Sequence, residues 1–450
     1  MGADVTAGRT EPRGEATIGF WATFAIGVGG MVGGGIFAVL GLAVSYAKGG
    51  TPIAFGLAGC VALATAYSYA RLSVRFPSQG GTVEFINQAF GSGWLTGGVN
   101  VLLWLSYAVM LALYAHAFGS YAASFLADPF GLWRHAFTSG VVILLTGLNL
   151  FGARIVGRAE EWIVGIKLSI LIFFVVAGVA SIHPERLAAG SWAAPLPLVA
   201  GGMLIFLAYE GFELIANAAA DVRRPERTIP RALFSSVLFV IALYVSVAIV
   251  AVGALPVAQI VEAKDYALAV AARPFLGALG FSLIAVAAML STGSAVNATL
   301  YGASRITYIL AKEGELPVEL ERKIWNRPAE GLLLTSALTL VLANTLDISR
   351  ISMIGSAGFL FIFIIVNLAN VRLHRDTHAR SWISQIGVTL SLAALIVLVE
   401  QSVRTNPWNL AVLGGLVGLA FAIEALYRRF SARRGGREVL TTSARSPKER

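Results

Sequence analysis

The 450-residue chain is 57% hydrophobic and only 13% charged, with a mean hydropathy of +0.75 and a formal net charge of +9. Water-soluble domains carry about 25% charged residues, so this composition excludes one and leaves a polytopic protein held in a lipid bilayer. The lone cysteine, Cys60, excludes an intrachain disulfide, and the five histidines show no metal-ligand spacing, so no metal is expected.

In chain order, residues 1–17 read as a polar tail rather than a cleavable signal peptide, because the apolar run that follows is too long and lacks a small-residue cleavage site. Twelve apolar runs are long enough, or nearly so, to span a bilayer: 18–45, 51–71, 93–126, 135–152, 160–182, 196–220, 230–254, 276–311, 331–345, 351–371, 382–401 and 408–427. The third and eighth are unusually long, which suggests tilt or projection beyond the bilayer. A basic tail, residues 428–450, ends the chain.

The positive charge sorts by loop. With the N-terminus inside, 26 of the 34 Lys and Arg residues fall in cytoplasmic segments and seven on the opposite side, leaving Lys167 within a span. That asymmetry places both termini in the cytoplasm. The basic balance is therefore a topology signal, and no nucleic-acid partner is expected.

Two spans carry breakers. In the first, "GVGGMVGGGIF" (27–37) puts six glycines into eleven positions, although each costs about 1 kcal/mol against alanine in a helix interior. One reading is close helix packing through small-xxx-small pairs. The other is an unwound segment, which hydrocarbon tolerates only where it is buried in protein or lines a cavity. Glycines at 29, 30, 33, 34 and 35 go most of the way round a helix and favour unwinding. The sixth span, "PLVAGGMLIFLAYEGFELIANAAADV", places Glu210 and Glu213 at mid-depth, where a carboxylate is a functional candidate. Interrupted spans at matching positions of two halves point to a transporter site. Lys167 lies seven residues past Glu160, about 10 Å deep. It either snorkels toward the cytoplasm or faces inward as a group that exchanges a proton.

These residues resemble the amino acid–polyamine–organocation (APC) superfamily. The resemblance rests on "GMVGGGIF", on "FLAYEGFELIANAAADVRRPERTIPRAL", on "STGSAVNATLYGASRITYILAKEGELP" and on the "RFPSQGGTVEFINQAFG" loop, in that family's order across residues 18–330. It implies an all-α membrane fold of 12 helices with a 5+5 inverted repeat, helices 1 and 6 being discontinuous. The first repeat would be 18–182, the second 196–371, and 382–427 would add helices 11 and 12.

By the same resemblance, amides around Gly33, Gly34 and Gly35 would receive a substrate carboxylate. Carbonyls of Gly30, Met31 and Leu207 to Glu210 would take the ammonium, and Phe206 and Tyr209 would form a lid. Tyr107, Thr299 and Ser356 are polar exceptions among the apolar residues of neighbouring spans. Sodium-coupled relatives hold an ion at positions matching Gly29, Val32, Ser291 and Ser294; proton-coupled members put a span-5 lysine there, matching Lys167. Glu213 matches a proton-sensitive acid of some exchangers. Gly34 departs from the serine or alanine of many relatives.

The leading expectation is a multi-pass plasma-membrane importer of amino acids by H⁺ symport, with no sodium and no other cofactor, working as a monomer or weak homo-oligomer. An amino acid/polyamine exchanger or a cationic amino acid transporter is the alternative, and a channel would need a continuous polar file. No catalytic constellation is present, and no phosphate-binding G-x-x-x-x-G-K-[ST] loop, so neither an enzyme nor an ATP-driven pump is expected.

Overall fold

The computed structural model of the protein describes residues 18–126, 131–151, 156–312, 323–324, 327–405 and 407–433. The predicted N-terminal tail and residues 434–450 of the basic tail lie outside them. The described residues are helical apart from short connections and a two-residue antiparallel pairing of Lys323–Ile324 with Arg327–Pro328.

The first predicted span is two helices, α1 (Phe20–Met31) and α2 (Gly35–Ala47), bent by 44° at the break. Then come α3 (Thr51–Arg75), the short amphipathic α4 (Thr82–Phe90), α5 (Trp94–Ala123), α6 (Leu132–Phe151) and α7 (Val156–Gly178). The sixth span is again divided. Helix α8 (Pro195–Leu204) gives way to a 3₁₀ turn, Phe206–Tyr209, and then to α9 (Leu214–Asn217), with a bend of 45°. Helix α10 (Pro225–Ala254) forms the seventh span, and α11 (Val257–Ala263), a 3₁₀ turn at Lys264–Tyr266 and α12 (Ala267–Ala271) lead to α13 (Arg273–Lys312). The remainder is α14 (Ala329–Thr345), α15 (Ile348–Arg372), α16 (Ser381–Thr405) and α17 (Trp408–Arg433).

Local chemistry sets several of these ends. Prolines at the first turns of α3, α8 and α10 cost no hydrogen bond there. Asp347 caps α15 by accepting from the Arg350 amide at 2.9 Å. Two boundaries are refined. Gly277, with φ of 61°, kinks α13 near its start, so the predicted eighth span, 276–311, begins at that kink. The twelfth helix runs on to Arg433, past the predicted end at 427.

Among the described residues, eight helices are long and apolar enough to cross a membrane, or ten if each bent pair is one span. Helices α6 and α14 occupy the fourth and ninth predicted positions without meeting that measure, and α14 has only 17 residues. Helix α5 is the buried axis, packed against α6, α13, α14, α15 and α17. Helices α7, α16 and α17 instead turn Ile172, Val176, Ile396 and Leu419 outward, as a lipid-facing surface requires.

One face of the bundle is closed by its connections. The Gly49 amide donates to the Ser191 carbonyl (3.1 Å) and the His183 amide to the Gly253 carbonyl (3.0 Å). The segment α11–α12 packs against α2. The opposite face carries Ile18, whose amide donates to the Asp221 carbonyl (3.0 Å) and whose carbonyl accepts from the Arg223 amide (2.8 Å). The start of α1 and the end of the sixth span are thereby joined.

Candidate functional site: two helix breaks above an open cavity

The end of α1 leaves carbonyls without helical donors, and in a membrane each needs a partner. Side chains from other helices supply them. Tyr244 of α10 donates to the Met31 carbonyl at 2.7 Å and lies 3.2 Å from that of Ala208, so one hydroxyl bridges both breaks. Ser291 of α13 donates to the Val32 carbonyl at 2.8 Å and also meets that of Gly33. In the sixth span, Ser352 and Ser356 of α15 reach the Leu204 carbonyl at 2.6 and 2.9 Å, and Ser356 accepts from the Leu207 amide at 3.0 Å.

Lys167 is buried, with 1% of its surface exposed, and its Nζ donates to the Gly29 carbonyl at 3.0 Å. It therefore reaches into the bundle at the end of α1 and does not snorkel. Lys167, Gly29, Val32 and Ser291 converge on the first break. Ser294, one turn further along α13, is half-buried and lines the cavity below.

Glycine is required where the breaks touch. Gly211 adopts φ of +116°, and a Cβ added there would strike the Gly30 carbonyl carbon and come within 2.6 Å of the Met31 amide nitrogen. A Cβ on Gly30 would in turn lie 2.7 Å from the Gly211 carbonyl oxygen. A Cβ on Gly34 would run into the Tyr114 ring. The unwound segments are thus in backbone contact, with an aromatic ring over the first.

The two acids of the sixth span differ in environment. Glu213 accepts from the Gly211 amide (2.7 Å) and from the Tyr107 hydroxyl (3.1 Å). Glu210 is fully buried, and neither carboxyl oxygen has a hydrogen-bond partner. Phe206 packs edge-on against Phe363 (centroids 5.6 Å apart), and the Tyr209 hydroxyl donates to the Phe55 carbonyl at 2.9 Å.

A cavity of about 1120 Å³ opens from the breaks toward the face that carries Ile18, Gln79, Asp221 and Arg305. Gly29, Gly30, Gly211, Thr299, Met110 and Tyr114 are among its lining residues. Met31, Gly33, Gly34, Gly35, Phe206, Leu207, Tyr209, Glu210 and Tyr107 are buried around the breaks and do not line it. Reasoning from sequence missed Tyr114, Tyr244 and Ser352. It also missed Glu424, fully buried in α17 beside Arg428 and Gly97. Tyr244 and Glu424 did carry a signal, as polar groups inside apolar runs. Among the described residues no cluster of metal-ligating side chains occurs.

This geometry gathers backbone dipoles and one ammonium at mid-bundle, closed from one face and reachable from the other. It is suited to holding and releasing a small zwitterion. The comparisons agree with a transport role. The amino acid permease family matches residues 18–421. The inner membrane transport protein YbaT of Escherichia coli (strain K12) is 32% identical, over 90% of this chain and 95% of its own. The methylthioribose transporter of Bacillus subtilis (strain 168) is 24% identical, over 88% of each chain. The branched-chain amino acid permease BcaP of Lactococcus lactis subsp. cremoris (strain MG1363) is 28% identical, over 78% of this chain and 80% of its own. The chain belongs to the amino acid permease family of the APC superfamily, whose members are membrane transporters and not enzymes.

Proposed function

We propose that the protein imports amino acids across the cell membrane by H⁺ symport with alternating access, independently of sodium. The observation that carries this reading is the buried Lys167 ammonium on the Gly29 carbonyl, beside the Ser291–Val32 hydrogen bond. A fixed positive charge there supplies what a sodium ion would supply and competes with one electrostatically. Lysine is also a side chain that gives up and regains a proton when held inside a protein. The proton thus serves as the coupling ion and no further cofactor is needed.

In this reading the cavity is the cytoplasmic vestibule and both termini are cytoplasmic. The substrate carboxylate binds at the amides that open α2, where the helix dipole favours an anion, once the Tyr114 ring leaves Gly34. Its ammonium meets carbonyls of the breaks, and Phe206 and Tyr209 close over it. The apolar surroundings favour neutral side chains. The branched-chain permease points the same way, while the methylthioribose transporter shows how far substrates range among relatives. The working unit is a monomer or weak homo-oligomer.

The test is uptake of a panel of radiolabelled amino acids into proteoliposomes, with and without an acid-outside pH gradient and with and without sodium. The gradient should drive accumulation and sodium should leave it unchanged. A strict sodium requirement would overturn the coupling. Glu210, buried without a partner at the break, supports one second reading, a transporter or exchanger of cationic amino acids and polyamines. Competition by lysine or putrescine stronger than by leucine would favour it.

A further inference from the structure

The closed face carries a polar cluster that the transport reading does not use. His116, in the second half of α5, is buried, with 3% of its surface exposed. Its Nε2 lies 3.1 Å from Asp265 Oδ2 and its Nδ1 lies 3.4 Å from the Ala343 carbonyl of α14. Ser120, one turn along α5, donates to the same Asp265 oxygen at 3.2 Å. Asp265 belongs to the 3₁₀ turn between α11 and α12, which is pressed so closely on α2 that a Cβ on Gly41 would strike the Lys264 carbonyl. The cluster therefore ties α5 to the segment that closes this face.

Both ring nitrogens of His116 face oxygens that can only accept, a peptide carbonyl and a carboxylate. A neutral imidazole has one N–H and serves one of them, whereas the imidazolium serves both. The neighbours bear on the charge. Burial pushes the Asp265 carboxyl up, but the His116 hydrogen bond and charge, the Ser120 hydroxyl and the Arg134 guanidinium of α6 outweigh it and hold it below the usual range. His135 of α6 is engaged with Asn344 (2.8 Å) and Arg134 (3.2 Å). Lys264 and Tyr266 flank Asp265 on its own turn, Glu262 stands on α11, and Tyr46 is the titratable side chain of α2; α12 has none.

We propose that His116, Asp265 and Ser120 form a second proton-binding site, separate from Lys167, and that the proton held there latches this face shut. Opening this face requires α11–α12 to part from α2 and α5, which separates His116 from Asp265. The ring then loses the carboxylate that pairs with its second N–H. Because only the imidazolium serves both acceptors and opening removes one of them, a proton on the cluster favours the closed form, and that advantage fades as pH rises. In the proposed orientation this is the outer face, so the latch acts as a brake: strong external acid holds the outer gate closed against the drive through Lys167.

The inference rests on alternating access, and one experiment separates the two. Ala267, 1% exposed on α12 beside Gly41, is replaced by cysteine in a Cys60→Ser background of the full chain in lipid nanodiscs. Labelling by a polar maleimide is measured at about pH 5 and about pH 8, normalised to the denatured protein at the same pH. Labelling should be about tenfold faster at the higher pH. His116→Gln and Asp265→Asn, as independent changes, should each abolish that dependence. Dependence that survives in both variants, or is absent or reversed in the parent, would overturn the latch. No labelling in any variant at any pH would overturn alternating access and the latch with it.

Discussion

A single hydroxyl or methyl group decides much at the breaks. Tyr114 lies over Gly34 with no room for a Cβ between them, so Gly34→Val should abolish substrate-induced thermal stabilisation of the purified protein. Normal affinity in that variant would mean that the glycines serve packing alone. Ser356 both donates to the Leu204 carbonyl and accepts from the Leu207 amide. Buried interhelical hydrogen bonds of this kind are worth about 0.6 kcal/mol each in membranes. Ser356→Ala should therefore lower the unfolding midpoint modestly while leaving the chain folded, a change that thermal denaturation in detergent reads directly. The glycine run, the two acids and Lys167 were legible in the sequence because each violates the apolar pattern of its own span. Tyr114 was not, because an aromatic in an apolar helix is ordinary, and only the fold brings it over residue 34.

At the scale of elements, the two interrupted spans behave as one unit. Gly30 and Gly211 are in backbone contact, Tyr244 serves a carbonyl of each break, and Ile18 is paired with the segment 221–223. Any movement of α1 therefore carries α9 with it. Tyr244→Phe removes the shared donor without changing shape, so it should slow transport at unchanged expression and unchanged monodispersity on size exclusion. Wild-type rates in that variant would show that the bridge is dispensable. The breaks could be located from sequence because glycine and charge interrupt hydrophobic runs. Of their partners, Ser291 was placed beside Val32 by family resemblance alone and Ser352 was missed, since these hydroxyls lie 259 and 148 residues from the carbonyls they reach and local pattern holds no trace of such pairings. The kink at Gly277 escaped for another reason: one glycine in a long apolar run looks tolerable until its φ is known.

The whole molecule is closed on one face and open on the other, and that asymmetry has consequences that can be measured. Cysteines placed at Ala22 or Ala298, which line the cavity, should react with a polar maleimide faster than one at Ala267, and bound substrate should slow them. Equal reactivity at both ends would contradict a one-sided opening. The helical bundle, its broken spans and the family were readable from composition, breakers and motif order. The direction in which the bundle opens was not, because both conformations of such a protein share one sequence and differ only in packing.

In the proposed function, Lys167 carries the coupling proton in place of sodium. The most direct test follows proton entry with a pH-sensitive dye trapped in sodium-free proteoliposomes when a transported amino acid is added outside. Wild-type protein should acidify the lumen as substrate enters, and Lys167→Ala should bind substrate without moving protons. Acidification by Lys167→Ala at the wild-type rate would contradict the account.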